Sequence, residues 1–260
     1  MPLAITRKVS PRMSECQLTH LARAPIDVQR AAEQHLAYEK CLESLDCRVT
    51  SLSAEADLPD SVFVEDAAVV FDELAILARP GAESRRAEVA SVGKALEPHR
   101  QLGRIEAPGT LDGGDVLAAG KRVFVGLSQR TNRAGIEQMR ALLGPHGYSV
   151  ASVSVERCLH LKSAVSQVAE NTLLMNPAWI EASAFPGFEL LEVDAAEPFA
   201  ANALLVNGAV GAVIYPAAYA RTRKRLEQRG IRVVPVEVSE LAKAEGGVTC
   251  CSLILRLPQR

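Results

Sequence analysis

The chain has 260 residues, 48% of them hydrophobic and 23% charged, an ordinary globular balance with apolar mass for a sizeable core. A formal net charge of −2 leaves no electrostatic footprint for nucleic acid or an anionic membrane, so the expected partner is a small molecule, and a cation suits it. No basic stretch followed by an apolar run stands after Met1, so no secretory signal is read there. Six scattered cysteines without CxxC or Cys/His zinc spacing fit reduced thiols in a cytoplasm better than a disulfide framework.

In chain order, residues 2–8 read as a strand, and residues 12–25 are sparse in regular pattern, a segment suited to a lid. β-rich runs follow at residues 47–52, 102–106, 148–153, 188–193 and 231–236, each taken as the start of a unit. After most of them comes a hairpin on a two-residue turn: Asp72-Glu73, Gly120-Lys121, Glu170-Asn171 and Asn207-Gly208. A breaker stands behind each hairpin (Pro80, Asn132, Pro177, Pro216). An amphipathic helix then usually follows, as over residues 83–96 and 217–228. The turns recur every 37 to 50 residues or so, the range of propeller blades and solenoid units.

Residues 199–220 carry no charge, a stretch long enough to span a bilayer. Asn202, Asn207-Gly208, Gly211 and Pro216 interrupt it, so it reads as two buried strands around an Asn-Gly turn and no membrane span is expected.

The fifth hairpin has no contiguous piece. Residues 2–8 and 249–257 are both strand-like, and pairing them supplies it, closes a ring and removes the open sheet edges. The expected fold is therefore α/β: a five-bladed α/β propeller of pseudo-five-fold ββαβ repeats, a single domain over 1–260, with the N- and C-terminal strands closing the ring. The alternative is an open sheet of βαβ units.

A ring points the leading end of each hairpin at the central channel. The groups at those heads are Glu65-Asp66, residues 112–115, His160 and Cys250. Core packing gives no reason to gather acids, an imidazole and a thiol. Cys250 lies in Glu245-Gly-Gly-Val-Thr-Cys-Cys-Ser, where the two glycines give backbone freedom and allow close approach of a substrate. Strand alternation sends Cys250 and Cys251 to opposite faces, so only one of them lines a site. His160 opens a hairpin in Cys158-Leu-His-Leu-Lys-Ser, whereas His20, His35, His99 and His146 read as background. Glu65-Asp66 between apolar runs needs a cation, and a guanidinium, planar and permanently charged, is a natural fork partner for it. Arg85 and Arg130 follow hairpins and are placed to clamp a carboxylate.

These segments together resemble the dimethylarginine dimethylaminohydrolases over nearly the whole chain. The residues that carry the resemblance are Leu58-Pro-Asp-Ser-Val-Phe-Val-Glu-Asp, Ala78-Arg-Pro-Gly-Ala-Glu-Ser-Arg-Arg, Thr110-Leu-Asp-Gly-Gly-Asp-Val, Gly126-Leu-Ser-Gln-Arg-Thr-Asn, His160-Leu-Lys-Ser and Gly247-Val-Thr-Cys-Cys-Ser. The resemblance implies the pentein-type propeller of guanidine-modifying enzymes, with Cys250 as nucleophile, His160 as general acid/base and Asp112 orienting it. It implies that Asp66 holds the guanidinium with Glu65 beside it, and that Arg85 and Arg130 bind the α-carboxylate. Asp60, with the backbone carbonyls of Leu18 and Ala244, is implied to receive the α-amino group.

The activity implied is hydrolysis of asymmetric dimethylarginine and monomethylarginine to citrulline and dimethylamine or methylamine, through a covalent thiouronium on cysteine. No cofactor and no metal are expected, and Zn²⁺ held between Cys250 and His160 is expected to inhibit. The rivals are an arginine or agmatine deiminase or an amidinotransferase of the same superfamily, and a non-enzymatic binding protein on the same fold. The oligomeric state is left open, a homodimer included.

Overall fold

Fifteen short strands group into five separate three-stranded sheets in a computed structural model that describes residues 1–206 and 211–257. β1 (Leu3–Arg7) and β2 (Arg48–Leu52) run parallel. β3 (Ala68–Val70), β4 (Leu74–Leu77) and β5 (Gln101–Arg104) form the second sheet, and β6 (Val116–Ala119), β7 (Arg122–Leu127) and β8 (Ser149–Ser154) the third. The fourth holds β9 (Val165–Ala169), β10 (Thr172–Met175) and β11 (Glu189–Glu192); the fifth holds β12 (Leu204–Val206), β13 (Ala212–Pro216) and β14 (Val233–Val236). β15 (Leu253–Leu255) completes the first sheet by pairing antiparallel with β1, Leu3 opposite Leu255. The expected pairing of the two ends of the chain is present.

Five apolar clusters fill the gaps between neighbouring sheets. Leu3, Ile5 and Leu253 pack on Ala75 and Leu77; Val69 and Ile76 on Val116 and Val125; Leu117 and Phe124 on Leu173 and Met175. Val168 and Leu174 pack on Val213 and Tyr215, and Val206 and Ile214 return to Ala4 and Cys47. Every sheet thus shares core with two others, so the five stand in a circle. This is why the middle strands carry no polar alternation: β4 and β13 are buried at every position, as strands covered on both faces must be.

The phase of the repeat differs from the sequence expectation. The β-rich runs end units instead of beginning them: β5 pairs parallel to β4, β8 to β7, β11 to β10 and β14 to β13. A parallel partner needs a crossover of a dozen or so residues, and the intervening helix provides it. α1 (Val28–Ser44) starts at Asp27, whose carboxylate accepts the Arg30 N–H at 3.0 Å. Residues 83–96 are not one helix but a 3-10 stretch, Glu83–Glu88, followed by α2 (Val89–Leu96), because Arg85 turns inward. α3 (Arg133–Leu143) is capped by Asn132, whose Oδ1 accepts the Gly135 N–H at 2.9 Å, so that breaker is an N-cap. α4 (Leu161–Ala164) is a single turn, and α5 (Ala220–Gln228) starts three residues later than expected. The fourth unit crosses over without an α-helix, using a 3-10 turn at Ala182–Ala184. The Asn207-Gly208 turn lies outside the described residues. Among the described residues no helix is long and apolar enough to cross a membrane.

Candidate active site

The heads of all five sheets are tied to one another by a closed circuit of hydrogen bonds. Asp66 Oδ1 accepts the Gly114 N–H at 2.9 Å, and Asp115 Oδ1 accepts the Leu161 N–H at 2.9 Å. Asn202 Nδ2 donates to the Lys162 carbonyl at 3.0 Å, and its Oδ1 accepts the Thr249 N–H at 3.2 Å. The Glu65 N–H then donates to the Cys250 carbonyl at 3.1 Å. Each head is a short turn whose backbone N–H and C=O groups have no ladder partner, and the neighbouring head satisfies them. Distant sequence positions converge for this reason.

The glycines in these turns make room for the circuit. A Cβ on Gly114 would stand 2.6 Å from His160 Nδ1 and 2.7 Å from Asp66 Oδ1. Gly246 and Gly247, expected to let a substrate approach closely, also admit the Phe63 ring and the Asn202 amide, at 2.1 and 2.3 Å from where a Cβ would be.

His160 is buried between two acids. Its Nε2 lies 3.0 Å from Asp112 Oδ2, and its Nδ1 lies 3.8 Å from Asp66 Oδ1. Burial alone would lower the imidazole's pKa, but the Asp66 charge and the Asp112 hydrogen bond outweigh it and raise it to about 9. Asp66 stays well below the ordinary carboxylate range despite burial, because His160 and Arg85 favour its ionised form. Arg85 commits its donors to Asp66 (2.5 Å), to both oxygens of Glu88 and to the carbonyls of Asp60 and Phe63. Such a buried network tolerates no missing member, since removing one leaves a charge stranded at roughly 3–5 kcal/mol.

Cys250 is half-buried, whereas Cys251 is buried in the core of the first sheet. Burial, with the charges of Glu65 and Asp66, pushes the Cys250 thiol up to about 12. Thiol and imidazolium are therefore the resting pair. Asp66, Asp112 and His160 bring three donor atoms within 4.8 Å of one another, the geometry a metal would need. Arg85 beside Asp66 and Arg130, 3.8 Å from Asp112, already balance those acids, so the trio reads as a cage for imidazolium.

Asp60, Asp66, Arg85, Arg130, His160, Ala244 and Cys250 line one cavity of about 10 Å³. A second cavity, of about 260 Å³, shares Cys250, Glu245 and Gly246 with it.

A profile of the family "N,N dimethylarginine dimethylhydrolase, eukaryotic" matches residues 17–257. The chain is 40% identical over 237 residues to the N(G),N(G)-dimethylarginine dimethylaminohydrolase of Pseudomonas aeruginosa, covering 90% of this chain and 91% of that one. It is also 40% identical over 258 residues to the protein of that name from Streptomyces coelicolor, covering 97% and 96%. This chain belongs to the dimethylarginine dimethylaminohydrolase family. A solved structure of the Pseudomonas aeruginosa enzyme, a cysteine-to-serine mutant complexed with citrulline, superposes with a TM-score of 0.92 at 37% identity over 97% of this chain and 98% of that one. The five-bladed α/β propeller expected from the repeat is the fold of this dimethylargininase relative.

Three of the expected site residues stand off the cavity wall. Asp112 is fully buried behind His160. Glu65 turns its carboxylate to Lys162 and to Thr249 Oγ1, the latter at 2.8 Å. Leu18 packs partly buried against the core, and the neighbouring Gln17 takes the wall position.

Asn202, Lys162, Thr249 and Glu88 were missed from sequence. Asn202 occupies the head of the β12–β13 hairpin, where the repeat alone pointed, but an uncharged residue in an apolar run read as a breaker. Asn202→Ala should leave the Thr249 N–H and Lys162 carbonyl unpartnered, at about 1–3 kcal/mol for each buried group. Urea unfolding measures the loss; a stability within experimental error of the parent would show that the circuit is dispensable.

Proposed function

We propose that the chain hydrolyses asymmetric dimethylarginine and monomethylarginine to citrulline and dimethylamine or methylamine, with Cys250 as nucleophile and His160 as acid, then base. The observation that carries this reading is that a thiol and a caged imidazolium share one cavity with the acids Asp60 and Asp66 and the guanidinium of Arg130. That layout matches an amino acid whose side chain ends in a cation. Asp66 faces the guanidinium, Asp60 and the Ala244 and Leu18 carbonyls take the α-amino group, and Arg130 takes the α-carboxylate. Arg85 joins Arg130 only by releasing one of its present acceptors.

The chemistry follows from the charges. A guanidinium beside Cys250 favours thiolate, and the thiol proton passes to water. Sulfur attacks the central carbon and a tetrahedral adduct forms. Imidazolium His160 protonates the departing nitrogen, the C–N bond breaks, and dimethylamine leaves with a thiouronium remaining on Cys250. Neutral His160 then takes a proton from water, hydroxide adds to the same carbon, and the C–S bond breaks as the adduct's hydroxyl proton passes to the departing sulfur, giving citrulline and the Cys250 thiol. Asp112 holds Nε2, so Nδ1 is the nitrogen that faces the reacting atoms. The six free thiols support a reducing compartment, the cytoplasm. The pairing of β1 with β15 supports one domain over residues 1–260.

The test is citrulline formation from asymmetric dimethylarginine against arginine, at equal concentrations of pure protein. One methyl in an apolar pocket is worth about 10–200-fold, so the dimethylated substrate should lead by at least about tenfold on the same ground. A clear lead for arginine would assign the chain to deimination instead.

A further inference from the structure

Residues 16–25 carry neither helix nor strand, and Gln17 forms part of the wall of the small cavity. That cavity has room for about one water, so a substrate that fills it displaces part of a wall to which this segment contributes Gln17. Its anchors are polar. The Gln17 N–H donates to both carboxylate oxygens of Asp60 at 3.2 and 3.1 Å, and Thr19 Oγ1 accepts from Arg130 Nη2 at 2.9 Å. Three successive backbone N–H groups, of Thr19, His20 and Leu21, converge on the single carboxylate of Glu245 at 2.8, 2.6 and 2.7 Å.

The three anchors are not equivalent. Asp60 and Arg130 are also the groups assigned to the two ends of the substrate, so a bound substrate competes with the segment for both. Glu245 has no second assignment. It stands on the same loop as Cys250, and it adopts the left-handed backbone region, φ 58°, where a non-glycine residue is strained. Glycine would fill that position without strain, and Gly246 and Gly247 follow it directly. A strained residue whose carboxylate collects three N–H groups points to a function for that carboxylate.

We propose that Glu245 is the latch of this lid, a positioning residue that clips the backbone of residues 19–21 over the bound substrate and releases it for exchange. The latch connects the lid to the loop that carries the nucleophile. Its kinetic consequence rests on the substrate assignment above; its structural consequence does not.

The experiment is hydrogen exchange on the ligand-free protein, comparing the parent with Glu245→Gln and Glu245→Gly. Glutamine keeps the size but offers the N–H groups a donor in place of one oxygen. Glycine removes the carboxylate and relieves the backbone, so a folding defect in the first variant does not block the test. Charge-assisted bonds of this kind should slow exchange by about tenfold or more. Both variants should therefore exchange the amides of residues 19–21 faster by about that factor, with the five sheets unchanged. In the citrulline assay the defect should fall on KM rather than kcat. Equal exchange in parent and variants overturns the latch, and so does a fall in kcat with KM unaltered. Failure of the methylarginine assignment would leave the exchange result standing.

Discussion

Cys250→Ser should abolish citrulline formation, by on the order of 10⁴-fold or more in kcat, the scale seen when a nucleophile is removed from an assembled site. The thiol already lies near 12, so even sulfur depends on the bound cation to ionise, and a hydroxyl is far harder to deprotonate. The fold should survive. The side chain is half-buried, and the Gly247 N–H that points at Sγ at 3.3 Å finds an oxygen acceptor in its place. Thermal unfolding within a few degrees of the parent, since about 1 kcal/mol moves the midpoint of a chain this size by roughly 2–4 °C, separates chemical from structural loss. Residual turnover within tenfold of the parent would remove Cys250 from the mechanism. A companion measurement checks the electrostatics: alkylation of ligand-free Cys250 should still be accelerating at pH 10. A plateau near the ordinary thiol value, about 8.5, would contradict the burial and acid effects described.

His160→Gly should cost about 10²–10⁴-fold for each of the two proton transfers assigned to the imidazole. With substrate saturating, so that the bound cation has ionised Cys250, the intact enzyme should lose kcat as pH rises through about 9, where imidazolium is lost. The glycine variant should lose that limb. The sign for stability is the same. The folded value lies above the unfolded one, so the stabilisation is fully present below about pH 6.5. It fades as the pH climbs to about 9. A pH–rate profile that is flat from 7 to 10 in the intact enzyme would place the acid elsewhere.

Much of the architecture is legible in the residues. Two-residue turns such as Gly120-Lys121 and Glu170-Asn171 stand between runs that alternate or are wholly apolar, and local turn chemistry marks them. The pairing of residues 2–8 with 249–257 follows from an odd strand at each end and an edge that must be covered. The unit boundary was misplaced because the parallel pairing of β5 with β4 is made across a helix, and no local signal says to which hairpin a lone strand returns. Residues 83–96 have the apolar spacing of one helix, but the Asp66–Arg85–Glu88 ion pairs turn Arg85 inward, and Asp66 stands almost twenty residues away along the chain, at the head of β3. The strand heads were found where the residues bear charge: Glu65-Asp66, His160, Cys250. Asn202 and the Glu245 carboxylate act on backbone groups, which leave no side-chain partner in a sequence to search for. The direction of Glu65, toward Lys162 and Thr249, is likewise set by the neighbouring turn.

The meeting of β1 with β15 has a bearing on synthesis. The strand beside Cys250 is the last of the fifteen to be made, and it must find the first, some 250 positions upstream. Until then β1 lacks its antiparallel neighbour, and the nascent chain carries the imidazole and acids but no Cys250 thiol next to them. The proposed chemistry needs the circle complete, and a chain halted short of that point presents β1 as an unpaired strand.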